Sequence, residues 1–173
     1  MARDATARQS DVDDKSVKMV VEGKPGADYR PGKISFAAKK GKSIDLVELR
    51  ADIQATRLGK GTDSEVTYLE ITATGIVVEA GKELQLNVGG TKQQFLLGED
   101  PKAKPKEGEK TPLGRLREAV AKGKKVISVT GRVQGWSGVW PRVLRELAAE
   151  QAKEPSKRKP AVFHVTDFEF AKE

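Results

Sequence analysis

The sequence EVTYLEITATGIVVEAGKELQLNVGGTKQQFLL, residues 65–97, decides most of the fold. Apolar and polar side chains alternate along much of it, and β-branched residues are frequent, which is the pattern of β-strands. Turns that contain glycine divide it into three predicted strands of a meander, over 65–78, 83–88 and 92–97. Gly75 interrupts the first strand, where a strongly bent strand would need glycine.

The sequence that follows the meander predicts both helices and strands. Residues 98–110 are charged and contain proline, which indicates a loop. Thr111 and Pro112 have the chemistry of an N-cap and a first-turn proline, so we expect a helix from there to about residue 122. The later patterns predict a strand over 126–133, a helix over about 138–151 and a strand over 161–170.

The chain upstream of the meander predicts a smaller α/β unit over about 17–60. Strands are expected over 18–22 and 33–38. Asp45 is a candidate helix cap, and the residues after it include one apolar helical face formed by Leu46, Leu49 and Ile53. Residues 1–16 lack apolar periodicity and are predicted to be a flexible tail.

The order of elements in 65–172 resembles the OB-fold, a five-stranded Greek-key barrel with a helix between strands three and four. The segments VTGRV (129–133) and VTDFEF (165–170) look like the last two strands of bacterial OB-fold proteins. We therefore predict an α+β protein, with an N-terminal strand–helix unit packed on a five-stranded OB-like β-barrel. An extra helix lies between strands 4 and 5 of that barrel. The resemblance implies binding through strands two and three and through the loops 1–2 and 4–5.

Residues 32–58 resemble the second half of a heavy-metal-associated domain. That family holds its metal with a Cys-x-x-Cys pair in the first half of the domain. The chain contains no cysteine and a single histidine, so no metal-binding residue carries over and a structural zinc is not expected. The same composition excludes a disulfide framework and a thiol nucleophile.

No apolar run approaches the ~20 residues of a membrane-spanning helix. Residues 1–20 lack the apolar core of a signal peptide, as in a cytoplasmic protein. A secreted protein of the cell envelope or periplasm from which the signal had been removed would look the same. The compartment and the oligomeric state therefore stay open.

Two short motifs come close to catalytic signatures without completing them. Residues 41–43 (GKS) match the end of a P-loop, but Phe36 stands where that motif needs its first glycine. Residues 135–139 (GWSGV) lack the last glycine of a nucleophile elbow. Strand alternation is expected to place the only histidine, His164, and Asp167 on opposite faces. We therefore predict that the protein is not an enzyme and needs no cofactor.

The strongest functional signal is a basic, tryptophan-bearing connection between the last two strands. The chain carries a formal charge of +7, and residues 101–173 contain seventeen basic and nine acidic side chains. An excess of this kind favours an acidic partner. Trp140 is expected to pack its helix onto the barrel. The predicted partner-binding residues are Phe95, Arg132, Trp136, Arg142, Lys157, Arg158 and Lys159.

Two functions fit this set of residues. The first is a non-enzymatic binding or scaffold module, an accessory subunit that recognises a protein partner or an assembly. The alternative is a single-stranded nucleic-acid-binding OB-fold protein, in which aromatic side chains stack on bases and cations follow the phosphates. Binding of nucleic acid should weaken steeply with salt, whereas a protein interface should depend more on apolar contact.

Overall fold

The computed structural model describes residues 6, 9, 11–21, 32–54, 68–123, 126–134, 149, 152–154 and 160–170. The chain is α+β and divides into two compact units, Met1–Val66 and Thr67–Glu173, each described here by itself. The described helices and strands are β1 (Lys18–Val21), β2 (Gly32–Ser35), α1 (Leu46–Gln54), β3 (Glu70–Ala80), β4 (Glu83–Val88), β5 (Gln94–Glu99), α2 (Pro112–Ala121), β6 (Val126–Val133) and β7 (Ala161–Phe170).

The first unit contains the antiparallel pair β1–β2 and the helix α1. Asp45 caps α1, because its Oδ1 accepts the backbone N–H groups of Val47 and Glu48 at 3.0 and 3.1 Å. These are first-turn donors that have no partner within the helix. Leu49 and Ile53 are buried on the expected face. The predicted helix start is confirmed.

Part of the predicted N-terminal tail is folded. Val12 is buried, and the N–H of Asp13 donates to the carbonyl of Ala37 at 2.9 Å. A 3-10 helix then covers Asp14–Ser16. The prediction of a flexible tail over 1–16 is therefore wrong for 11–16, where backbone hydrogen bonds outweigh the lack of an apolar period.

The second unit is built on five strands that close into a ring in the order β3-β4-β5-β7-β6, with β6 returning to β3. The pair β5–β7 is parallel and the other four pairs are antiparallel. β3 closes the ring because its first half pairs with β6 and its second half with β4. The predicted meander and the two later strands are all present.

Gly75 lies where β3 passes from one partner strand to the other. It stands opposite Ile127 of β6 and also opposite Val88 of β4. A Cβ at this position would lie 2.0 Å from the carbonyl oxygen of Asn87, well inside any allowed contact. The sequence requires glycine here because the backbone of β4 occupies the space of a side chain.

The interior of the ring is apolar, and α2 packs against β5 and β7 beside it. Thr111 caps α2 by accepting the N–H of Gly114 at 3.1 Å, and Pro112 occupies the first turn, as predicted. The fully or nearly fully buried apolar residues of this unit are Leu69, Ala73, Val77, Leu84, Leu86, Phe95, Leu97, Leu113, Leu116, Ile127, Val129, Val133, Phe163 and Val165.

A β-bulge interrupts the pairing of β6 with β7. Thr130 stands opposite Asp167, and its neighbour Gly131 stands opposite Val165, so Thr166 has no position across from it. The hydroxyl of Thr166 donates to the carbonyl of Thr130 at 3.2 Å. Because one residue is extra, the alternation of β7 changes phase at this point.

The bulge overturns one expectation from the sequence. His164 and Asp167 stand opposite Arg132 and Thr130, which are two residues apart on β6 and share a face. His164 and Asp167 therefore lie on the same face of the sheet, not on opposite faces. Strict alternation failed here because it cannot include a bulge that only strand pairing reveals.

Candidate binding surface

The structure describes two of the seven predicted partner-binding residues, Phe95 and Arg132. The helix predicted over 138–151 and the basic loop near 157–159 fall almost wholly outside the described residues. The same holds for Trp140 and for the remaining predicted contacts, namely Trp136, Arg142, Lys157, Arg158 and Lys159.

Phe95 is a core residue and not a surface contact. Its side chain is 2% exposed, and its ring centroid lies 5.3 Å from that of Phe163. It stands opposite Leu86 of β4, which is also buried. The prediction that Phe95 binds a partner is wrong, because β5 turns this side chain toward the interior of the ring.

Arg132 lies on the outer face of the ring, next to the last residue of β6. It stands directly opposite Glu70 of β3, and the Arg132 Nε atom is 3.7 Å from Glu70 Oε2. The two side chains are 43% and 38% exposed. This distance is short enough for an ion pair but too long for a hydrogen bond.

Tyr68 adds an aromatic ring to the same surface. Tyr68 precedes Glu70 by two residues and is 47% exposed. The Arg132 Cζ atom lies 4.8 Å from the ring centroid of Tyr68, within cation–π range. Tyr68 is not among the residues predicted to bind a partner, although alternation through the predicted first strand of the meander places Tyr68 and Glu70 on one face.

Two threonines continue this surface along the same strands. Thr72 stands opposite Thr130, and their hydroxyl oxygens are 2.8 Å apart. We call Tyr68, Glu70, Thr72, Thr130 and Arg132 the β3–β6 patch. It combines an aromatic ring, an ion pair and two hydroxyl groups. All of its residues except Tyr68 lie on the paired strands β3 and β6, and Arg132 lies two residues before the connection that leaves β6.

The outer face of β4 and β5 has a different character. Their sequences, ELQLNV and QFLLGE, contain no lysine or arginine, and their one aromatic residue is the buried Phe95. The side-chain amide of Gln85 donates to Asn87 Oδ1 at 2.8 Å, so two outward groups satisfy each other. This face is polar and neutral to acidic.

Of the two near-motifs, GWSGV (135–139) lies outside the described residues, whereas the GKS segment (41–43) is described. The Asp45 carboxylate occupies first-turn N–H groups of α1 that a phosphate would need after the GKS segment. No group of three or more His, Cys, Asp or Glu side chains in the described part of the chain could hold a metal ion. A hydrogen bond from Lys110 lowers the pKa of Glu118, but that carboxyl is an exposed group on the surface of α2.

No family model matches the chain, and no curated protein and no solved structure is significantly similar to it. None of the described helices is long and apolar enough to cross a membrane.

Proposed function

We propose that this protein is a non-enzymatic binding module with an OB-like fold, an accessory subunit that recognises a protein partner through the β3–β6 patch. The OB-like assignment is supported by a ring of five strands with α2 between the third and the fourth. The OB-fold binds its ligands on strands two and three and in the loops 1–2 and 4–5, and Arg132 lies two residues before the connection between the fourth and fifth strands.

The difference between the outer face of β4 and β5 and the β3–β6 patch favours a protein partner over nucleic acid. Nucleic-acid binding on strands two and three of an OB-fold needs stacking aromatics and cations, and β4 and β5 offer neither on their outer face. The β3–β6 patch instead exposes Tyr68 and Arg132 in contact with each other. Tyrosine and arginine are the residue types most enriched among the residues that dominate protein–protein binding energy.

The construction of the patch also suits a protein interface. Thr130 and Arg132 project from backbone that is paired with β3, so little backbone entropy is lost when they meet a partner. The hydroxyl pair of Thr72 and Thr130 provides a polar rim beside the aromatic and cationic centre.

Site-specific photo-crosslinking of the full-length chain in cells of its source tests the proposal. A benzophenone amino acid at Tyr68 should give a covalent adduct with a discrete protein, identified by mass spectrometry. The same group at Gln94, an exposed position on β5, is the matched control and should not give that adduct. Adding Arg132→Gln to the Tyr68 variant should abolish the adduct. Equal adducts from both positions, or none from either, would refute the proposal.

Single-stranded nucleic acid is the second candidate, and the contact of Arg132 with the exposed ring of Tyr68 favours it, because bases can stack on such a pair. A labelled oligonucleotide should then bind at micromolar concentration or tighter, and its affinity should fall steeply between 50 and 200 mM salt (~ tenfold or more). Absence of binding at low salt, despite the formal charge of +7, would exclude it.

A further inference from the structure

We propose that Arg132 receives a single carboxylate of the protein partner, an aspartate or glutamate side chain. This inference rests on the proposed function, and it names the chemistry at the centre of the same patch.

The first observation is that the guanidinium of Arg132 has neighbours on one side but still has an N–H group that donates no hydrogen bond to a described residue. Its Nε atom is buried and donates no hydrogen bond in the described structure, since Glu70 Oε2 approaches only to 3.7 Å. The side chain as a whole is 43% exposed. The exposed area therefore belongs to the rest of the side chain, whose polar part is the pair of terminal Nη groups.

The second observation is that the orientation of this guanidinium is set before any partner arrives. The Tyr68 ring lies 4.8 Å from Cζ, and Glu70 faces the Nε side. The β3–β6 register holds Glu70 directly opposite Arg132, and Tyr68 lies two residues before Glu70 along the chain. A preorganised planar fork loses less entropy when it binds, which favours a partner with two oxygens in one plane.

The charges around Arg132 select one carboxylate over a polyanion. Glu70 lies across from it, and Asp167 lies on the same face one pair further along the sheet. A chain of phosphates crossing this surface would meet both acids, whereas a single carboxylate at the Nη groups would have only Glu70, on the Nε side, as an acidic neighbour. The positive charge of the full chain, +7, still draws an acidic protein toward it.

The test is an NMR titration of the isotope-labelled full-length chain with N-acetylglutamate α-amide, which carries one side-chain carboxylate. N-acetylglutamine α-amide at matched ionic strength is the ligand control. We expect the Nε–H and backbone resonances of Arg132 and the Tyr68 resonances to shift saturably with the carboxylate only. Shifts spread evenly over exposed lysines would mean non-specific attraction and would overturn the inference.

Arg132→Lys keeps the charge but loses the planar fork, so the affinity for the carboxylate should fall about fivefold. Lys92→Gln removes a charge from the exposed turn between β4 and β5 and should leave that affinity unchanged. Tyr68→Leu is a second variant that removes the ring while keeping the arginine, and it should weaken the same binding about twofold. Wild-type affinity in Arg132→Lys would overturn the assignment.

An octathymidylate titration in the same assay separates the two macromolecular classes. If the oligonucleotide shifts the Arg132 and Tyr68 resonances and the carboxylate does not, the inference is wrong. The failure of this inference and that of the proposed function are distinguishable. A crosslinked partner at Tyr68 without carboxylate binding refutes only the inference, whereas carboxylate binding without any crosslinked partner refutes the proposed function.

Discussion

Replacing Gly75 by alanine tests how the five-stranded ring closes. The new Cβ would lie 2.0 Å from the Asn87 carbonyl oxygen and 2.9 Å from the Val88 Cα. Both atoms belong to the backbone of β4, so no side-chain rotation relieves the overlap. The strands must separate by about an ångström or more, which weakens the ladder around Gly75.

The cost follows from the hydrogen bonds that this separation strains. Gly75 pairs with Val88, and the neighbouring N–H of Gly89 donates to the Thr74 carbonyl at 3.0 Å. With two or three such bonds weakened, at about 1 kcal/mol each, the unfolding free energy of the second unit should fall by about 2–3 kcal/mol. A decrease in melting temperature of about 5–15 °C is expected.

Gly89→Ala is the matched control, because it makes the same chemical change in the adjacent turn. A Cβ at Gly89 would lie 3.5 Å from the Thr74 carbonyl oxygen, an ordinary contact. Both variants should be unfolded in urea and followed by far-UV circular dichroism. If Gly75→Ala and Gly89→Ala have the same midpoint, the argument that β4 backbone excludes a side chain at Gly75 is refuted.

Three further changes test the core, a helix cap and a surface ion pair. Phe95→Ala should lower the unfolding free energy by about 3–5 kcal/mol in urea, since the side chain is buried; a loss below 1 kcal/mol would contradict the core assignment. Thr111→Ala removes the acceptor for the Gly114 N–H and should cost about 1 kcal/mol in the same assay, with no change counting against the cap. Lys110→Ala should raise the pKa of Glu118 toward its ordinary value, because the hydrogen bond from Lys110 is the largest cause of its lowering. The ion pair stabilises the fold above the ordinary pKa, and this contribution disappears as pH falls through the lowered pKa of Glu118; an unchanged carboxyl titration by NMR would contradict it.

The local signals in the sequence predicted the elements well. Asp45 and Thr111 start their helices as their side-chain chemistry requires. The strands over 83–88, 126–133 and 161–170 have the predicted bounds. These features depend on hydrogen bonds and turns within a few residues, which is the range over which a sequence pattern acts.

The candidate site was less predictable, and Phe95 shows why. Its aromatic ring on the third strand of an OB-like order suggested a binding residue, but the direction of the side chain depends on the strand pairing. Tyr68 and Arg132 are far apart in the sequence and meet only because β3 pairs with β6. Their contact therefore could not be derived from either segment alone.

The sequence by itself determined the caps of the two described α-helices, the bounds of three strands, the need for glycine at Gly75 and the absence of thiol chemistry. Only the tertiary structure decided that Phe95 is buried, that a bulge places His164 and Asp167 on one face, and that Arg132 lies against Tyr68. The physical reason is range. Caps and turns are satisfied by neighbouring residues, whereas register, strand phase and surface contacts depend on which distant strands share hydrogen bonds.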